Sequence, residues 1–149
     1  MEPFDPAQIE RDYIFATRRL VMYSDLNAAG RLFGGQLMGW LDEATAQAAA
    51  RIMGTKSLVT KKFGEVVFDH PGKLGDSVEI WCRVEREGTT SLTLDCRVLV
   101  RAVAPETLRQ ICHSTVVYVA LDEQGRPVAW RPSSRSSPRT PSRRRGRRA

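Results

Sequence analysis

The sequence predicts an α+β domain, a curled antiparallel sheet of about five strands wrapped around one long central helix. Three observations carry this. A single stretch, 35–53, has strong helix propensity. After Gly54 the apolar residues change to period two and hold it to the end of the domain. The later strands are joined by turns too short for crossover helices, so they must pair antiparallel.

Residues 1–13 form an N-terminal arm, polar with two prolines, loose or at most a short helical turn. "IFATRRLVMY" (14–23) reads as the first strand. The helix follows a loop, its alanine-rich half "EATAQAAARIM" propagates it, and Gly54 stops it. "SLVTKKFGEVVFDHP" reads as one strand ending before Pro71, with Gly64 marking a bulge or a close backbone approach. "GKLGD" (72–76) is a turn. In "SVEIWCRVERE", Val78, Ile80, Cys82 and Val84 alternate with Glu79, Trp81, Arg83 and Glu85, so one face is buried. "SLTLDCRVLVRAV" repeats the pattern, and "RQICHSTVVYVAL" after the "APET" turn is the last strand. The domain runs over 14–130, with Trp130 its last ordered residue. One helix cannot cover such a sheet, so a second subunit is expected to complete the burial.

The chain has 149 residues and a formal net charge of +6. That charge belongs to residues 131–149, "RPSSRSSPRTPSRRRGRRA", which hold eight arginines and no acid. The remainder carries fifteen basic against seventeen acidic residues, about −2. The tail lacks apolar residues to fold and aromatic residues to stack on bases, so it reads as a disordered appendage. Nucleic-acid association through it is the competing reading and would be non-specific and salt-dependent. Three separated cysteines, with no C-x-x-C pair, argue against a disulfide framework or a zinc site and for buried reduced thiols. No leader and no apolar run of membrane-spanning length is visible, so a cytoplasmic protein with no membrane role is expected. No metal and no cofactor is expected.

The informative stretch is Asn27 to Glu43, "NAAGRLFGGQLMGWLDE". A helix opening on Gly34-Gly35 presents unpaired N–H groups and partial positive charge that a ligand's carbonyl or phosphate can approach closely. From Gly35, the positions stacked along one side are Gly39, Asp42, Ala46 and Ala49. All are tiny except Asp42, which leaves room for a second element or a slender substrate beside an acid. A tight turn and a surface carboxylate would explain each feature singly; their combination points to a site.

These residues resemble the signature of the hotdog-fold acyl-CoA thioesterases, the small bacterial kind also duplicated in mammalian cytosolic acyl-CoA hydrolases. The pattern Asn-x-x-Gly-x-Leu/Ile-Phe-Gly-Gly, with an Asp following in the helix, is met by Asn27, Gly30, Leu32, Phe33, Gly34, Gly35 and Asp42. The likeness extends over about residues 14–130, through the Pro-x-x-x-Gly-Asp turn and "EREGTTSLTL". It implies hydrolysis of fatty acyl-CoA to free acid and coenzyme A, the latter being part of the substrate. It implies one active site between two subunits of a homodimer, commonly assembled as a trimer of dimers. Gly35, with Gly34, would hold the oxyanion, Asp42 would act as general base or nucleophile, and Asn27 would orient water or carbonyl. Phe33, Leu37, Met38 and Leu41 are candidates for the acyl tunnel. Thr89, Thr90 and Ser91 could bind coenzyme A phosphates, with Lys61, Lys62, Arg83, Arg86 and Arg97 as candidate cations. "DLNAAGRL" also begins like the Asp-x-Asn-x-x-x-x-His pattern of enoyl-CoA hydratases, but Leu32 occupies the histidine's place. A non-catalytic acyl-CoA sensor with the same fold is the alternative.

Overall fold

The computed structural model describes residues 4–131. Its elements are α1 (Pro6–Asp12), β1 (Ile14–Leu20), α2 (Gly34–Met53), β2 (Leu58–Phe63), β3 (Val67–Phe68), β4 (Ser77–Glu87), β5 (Ser91–Val103) and β6 (Glu106–Ala120). The sheet order is β1-β4-β5-β6-β2, with β3 also pairing β6, and every pairing is antiparallel. The α+β reading, with one long helix against a curled antiparallel sheet, holds.

Several local readings need correction. The first strand stops at Leu20, and Tyr23–Asp25 is a 3₁₀ turn. The strand expected over 57–70 breaks into β2 and β3 at Gly64, whose N–H donates to the Thr115 carbonyl at 2.8 Å. A Cβ at Gly64 would collide with the Thr115 hydroxyl, so this is the close backbone approach that the glycine permits. Short connections did not make every consecutive pair neighbours: β2 and β3 pair with β6, while β4 lies on the far side of β5.

The core lies between α2 and the concave face. Leu37, Trp40, Leu41, Ala44, Ala49 and Met53 of the helix pack on Val78, Ile80, Leu92, Leu94, Val98 and Val116. Gly54, in the left-handed conformation at φ 69°, ends α2 and donates to the Ala50 carbonyl.

The convex face is not simply solvated, as alternation suggested. Of the two readings of the N-terminal arm the helical one holds, and the helix is capped: Asp5 accepts from the Ala7 N–H, and Ile9 and Tyr13 bury against Leu99. Beside it Glu79 is completely buried, accepting from Arg18, Trp81 and Arg101. Burial pushes its carboxyl upward, but the bonds from Arg101, then Arg18 and Trp81, outweigh this and hold it below the usual carboxylate range. Arg101 also reaches Glu10 and Glu106, tying α1 to β4, β5 and β6.

Trp130 donates its backbone and indole N–H groups to the carbonyls of Thr89 and Ser91. The expected disordered tail lies, beyond Arg131, outside the described residues. Among the described residues no helix is long and apolar enough to cross a membrane.

Candidate active site

The expected site residues fall in two regions along α2, which lie apart within one chain. At the helix start, Phe33 supplies no side-chain cap, and its carbonyl accepts from the Leu37 N–H at 3.1 Å. The amides of Gly34 and Gly35 therefore head the helix without an intrahelical acceptor. A Cβ at Gly35 would lie 2.6 Å from the Phe33 ring, so glycine is what lets that ring fold across the helix end. Gln36 anchors this turn from beneath by donating to Asp25 Oδ1 at 2.8 Å. Asp25, itself buried, accepts from the Met22 N–H and, through its carbonyl, from the Phe33 N–H.

Asn27 shapes the preceding loop. Its Oδ1 accepts from the Ala29 and Arg31 N–H groups at 2.9 and 3.1 Å. Its oxygen is thus committed to the loop, and what it can offer a substrate is the Nδ2 donor pair. This narrows the expected role from orienting water or carbonyl to donating toward an oxygen. A cleft of about 380 Å³ opens here, with Leu37, Phe68 and Ile111 on its apolar walls and Asn27, Arg31 and His70 among its polar ones.

Asp42 is elsewhere. Eight residues beyond Gly34, it lies about 12 Å further along the helix axis. It meets β2 and β6: Thr60 donates to its Oδ1 at 2.6 Å, and the Tyr118 hydroxyl lies 3.2 Å from the same oxygen. Oδ2 has no hydrogen-bond partner among the described residues. The Tyr118 hydroxyl also lies 3.0 Å from the Asp42 carbonyl oxygen and 2.7 Å from Thr45 Oγ1. Tyr118 is fully buried, and burial pushes its hydroxyl well above the ordinary tyrosine value. Thr60 and Tyr118 were absent from the sequence reading. Both lie within apolar alternation, where nothing local separates a hydroxyl aimed at a carboxylate from ordinary strand filling.

Other expected residues sort clearly. Leu41 is fully buried in the core and is not among the residues lining the cleft, whereas Leu37, though buried, does line it; Phe33 remains 55% exposed. The Gly88–Ser91 turn closes through the Gly88 N–H to the Ser91 carbonyl, and the Thr90 carbonyl accepts from Ala120. Register puts Ser91 opposite Val119 and Thr60 opposite Tyr118, so Thr89, Thr90 and Ser91 sit toward the Asp42 end of the sheet, not at the cleft. Arg83 and Arg97 are engaged with Asp95 on the convex face. Lys61, Lys62 and Arg86 are exposed and have no ion-pair partner among the described residues. His113 is a satisfied structural histidine, its Nδ1 2.9 Å from Asp69 Oδ2. Among the described residues no cluster of His, Cys, Asp and Glu could hold a metal ion.

Comparison with known proteins agrees with this architecture. The model of the thioesterase superfamily matches residues 29–101. The acyl-CoA thioester hydrolase YciA of Salmonella typhimurium is 36% identical over 113 residues, covering 74% of this chain and 84% of the relative. A hexameric broad-specificity acyl-coenzyme A thioesterase, HI0827, solved as an aspartate-to-alanine variant, superposes with a TM-score of 0.75 at 28% identity, over 80% of this chain and 88% of that one. An acyl-CoA hydrolase from Staphylococcus aureus in complex with butyryl coenzyme A gives 0.73 at 28% identity, over 81% and 73%. That hydrolase has also been solved with an aspartate, an asparagine or a threonine replaced by alanine. With a shared fold and 36% identity over 84% of a relative's length, this chain belongs to the hotdog-fold thioesterase superfamily, among the YciA-type acyl-CoA thioester hydrolases.

Proposed function

We propose that this protein hydrolyses fatty acyl-CoA to a free carboxylic acid and coenzyme A, at a site shared between two antiparallel copies of α2. The observation that carries this is the state of Asp42: one carboxylate oxygen is pinned by hydroxyls from two strands, and the other is open. A surface carboxylate would have neither the pinning nor the stripe of small neighbours.

The separation of about 12 Å along α2 supports a two-chain site. An antiparallel partner helix brings the partner subunit's Asp42 toward the Gly35 amide and Asn27 Nδ2 of the first chain, and the reverse at a second site. The thioester carbonyl oxygen then lies against the helix-start N–H groups. As a tetrahedral oxyanion develops there, those fixed donors stabilise it more than they stabilise the neutral carbonyl. Asp42 takes the proton of an attacking water, or attacks the carbonyl carbon itself, breaking the C–S bond and releasing the coenzyme A thiolate. The mixed anhydride so formed is opened by water to the free acid and the Asp42 carboxylate, the proton released going to the thiolate. In the first course the intermediate collapses by breaking the C–S bond, and the departing thiolate recovers the proton held by Asp42. Thr60 keeps the carboxylate facing the reaction.

The exposed Lys61, Lys62 and Arg86 remain the cations suited to coenzyme A phosphates, with Thr89, Thr90 and Ser91 close to that end. The apolar walls of the cleft at Phe68 and Ile111, with exposed Phe33 above them, suit the acyl chain. The assembly is a homodimer built into a trimer of dimers, a reading supported by the hexameric HI0827 thioesterase. A cytoplasmic location fits this substrate.

The test is release of free thiol from acyl-CoAs of increasing chain length, with wild type beside Asp42→Asn. Turnover by wild type and its loss in a folded, assembled variant supports the reading. Saturable acyl-CoA binding without turnover in wild type would make the protein a sensor instead.

A further inference from the structure

Behind Asp42 lies a buried pair of hydroxyls, and the supply of protons in it is smaller than the number of acceptors. Tyr118 contributes one proton and faces three oxygens: Thr45 Oγ1 at 2.7 Å, the Asp42 carbonyl at 3.0 Å and Asp42 Oδ1 at 3.2 Å. Thr45, also fully buried, is one turn beyond Leu41 and donates to the Leu41 carbonyl at 2.7 Å. With its proton committed there, Thr45 Oγ1 faces Tyr118 as an acceptor. The Tyr118 proton is therefore shared between a neutral oxygen that is near and a charged one that is slightly farther.

We propose that Tyr118 is a positioning residue for the reaction, its shared hydroxyl proton setting the orientation of the Asp42 carboxylate. This rests on the reading of Asp42 as the reacting carboxylate. When Asp42 is ionised, its charge draws the Tyr118 proton toward Oδ1. When Asp42 has taken a proton, the Tyr118 proton returns to Thr45 Oγ1. No covalent bond changes, and the proton is conserved within the pair. The switch needs no solvent, since Tyr118 and Thr45 are both closed off from it.

The charged groups around Asp42 are few. From β6 there is Tyr118; on β2, Lys61 and Lys62 follow Thr60; on α2 itself, Glu43 is engaged by Arg19 of β1 at 2.9 Å. No hydrogen bond or ion pair joins Asp42 to a cation among the described residues, so hydroxyl donors are its main protein contacts.

The two hydroxyls make opposite predictions, which a packing defect would not. Tyr118→Phe removes a donor from the carboxylate, and its kcat falls about tenfold with KM within about twofold, because the carboxylate is less firmly aimed. Thr45→Val keeps the side-chain shape but removes the competing acceptor, so the Tyr118 proton goes wholly to Asp42 and kcat stays at or above the wild-type value. In Tyr118→Phe, the Thr45 substitution has no further effect.

The experiment measures kcat and KM by thiol release for the assembled wild type, Tyr118→Phe, Thr45→Val and the double variant, with thermal melting on the same preparations. A fall in kcat at near-constant KM in Tyr118→Phe, wild-type or higher kcat in Thr45→Val, and no further effect of Thr45→Val in the Tyr118→Phe background establish the inference. Equal losses in the two single variants, or no loss in Tyr118→Phe, overturn it. Turnover retained in Asp42→Asn would instead sink the reading of Asp42 as the reacting group.

Discussion

Thr60 on the edge strand β2 donates its hydroxyl to Asp42 Oδ1 at 2.6 Å, the shortest contact the carboxylate makes. A bond to an ionised acceptor is worth more than a neutral one, so its loss leaves the carboxylate less firmly held. Thr60→Val is expected to lower kcat about 10- to 100-fold with the fold intact, and Thr60→Ser to restore most of it. Steady-state kinetics with one acyl-CoA decide this; a Val variant as active as wild type would remove Thr60 from the site.

Gly35 is expected to matter for turnover and little for stability. Alanine there improves helix propensity by up to about 1 kcal/mol, while its Cβ must displace the exposed Phe33 ring, the free end of a flexible side chain. The new methyl also stands beside the amide assigned to the oxyanion. Gly35→Ala should melt within a few degrees of wild type and lose about tenfold or more in kcat. Thermal melting and thiol-release kinetics on the same preparation separate the two effects.

Glu79 makes the convex face sensitive to acid. Its folded-state pKa is held down by Arg101 and Arg18, so its contribution is fully present above the unfolded value, about 4.3. That contribution is lost as pH falls through the lower folded value. Glu79→Gln leaves two arginines facing a neutral group in a closed site and should cost about 3 kcal/mol at pH 7. The difference between variant and wild type should shrink below about pH 4. Urea unfolding at pH 7, 5 and 3.5 measures it; a variant equally destabilised at every pH would refute the electrostatic account.

The three cysteines should be silent in the native protein. Burial pushes the Cys82 thiol up to about 11 and Cys112 to about 12, and Cys96 higher than its ordinary value as well. A disulfide-exchange dye at pH 7.5 should label none rapidly in the native state and three in denaturant. Fast labelling of any one would show that its strand opens to solvent.

Much was legible in the chain itself. The Asn27–Gly35 loop and the small-residue stripe holding Asp42 are local patterns, because a helix places residues three and four apart on one side whatever surrounds it. Alternation at Leu92, Leu94, Cys96, Val98 and Val100 gave the concave face for the same reason, since a strand turns every second side chain the same way. Burial of the odd cysteines followed from their places in those runs.

What the chain concealed depends on which distant elements meet. Glu79 occupies a polar position in the alternation, yet α1 and Arg101 close over it; that burial is decided by a helix some seventy residues earlier. The pairing of β2 with β6 rather than β4 brings Thr60 opposite Tyr118 and both against Asp42, and strand order is not encoded in any local period. The distance along α2 between Asn27's cleft and Asp42 was fixed by helical rise from the start. Only the folded sheet, by placing those two hydroxyls, showed what holds the acid in place.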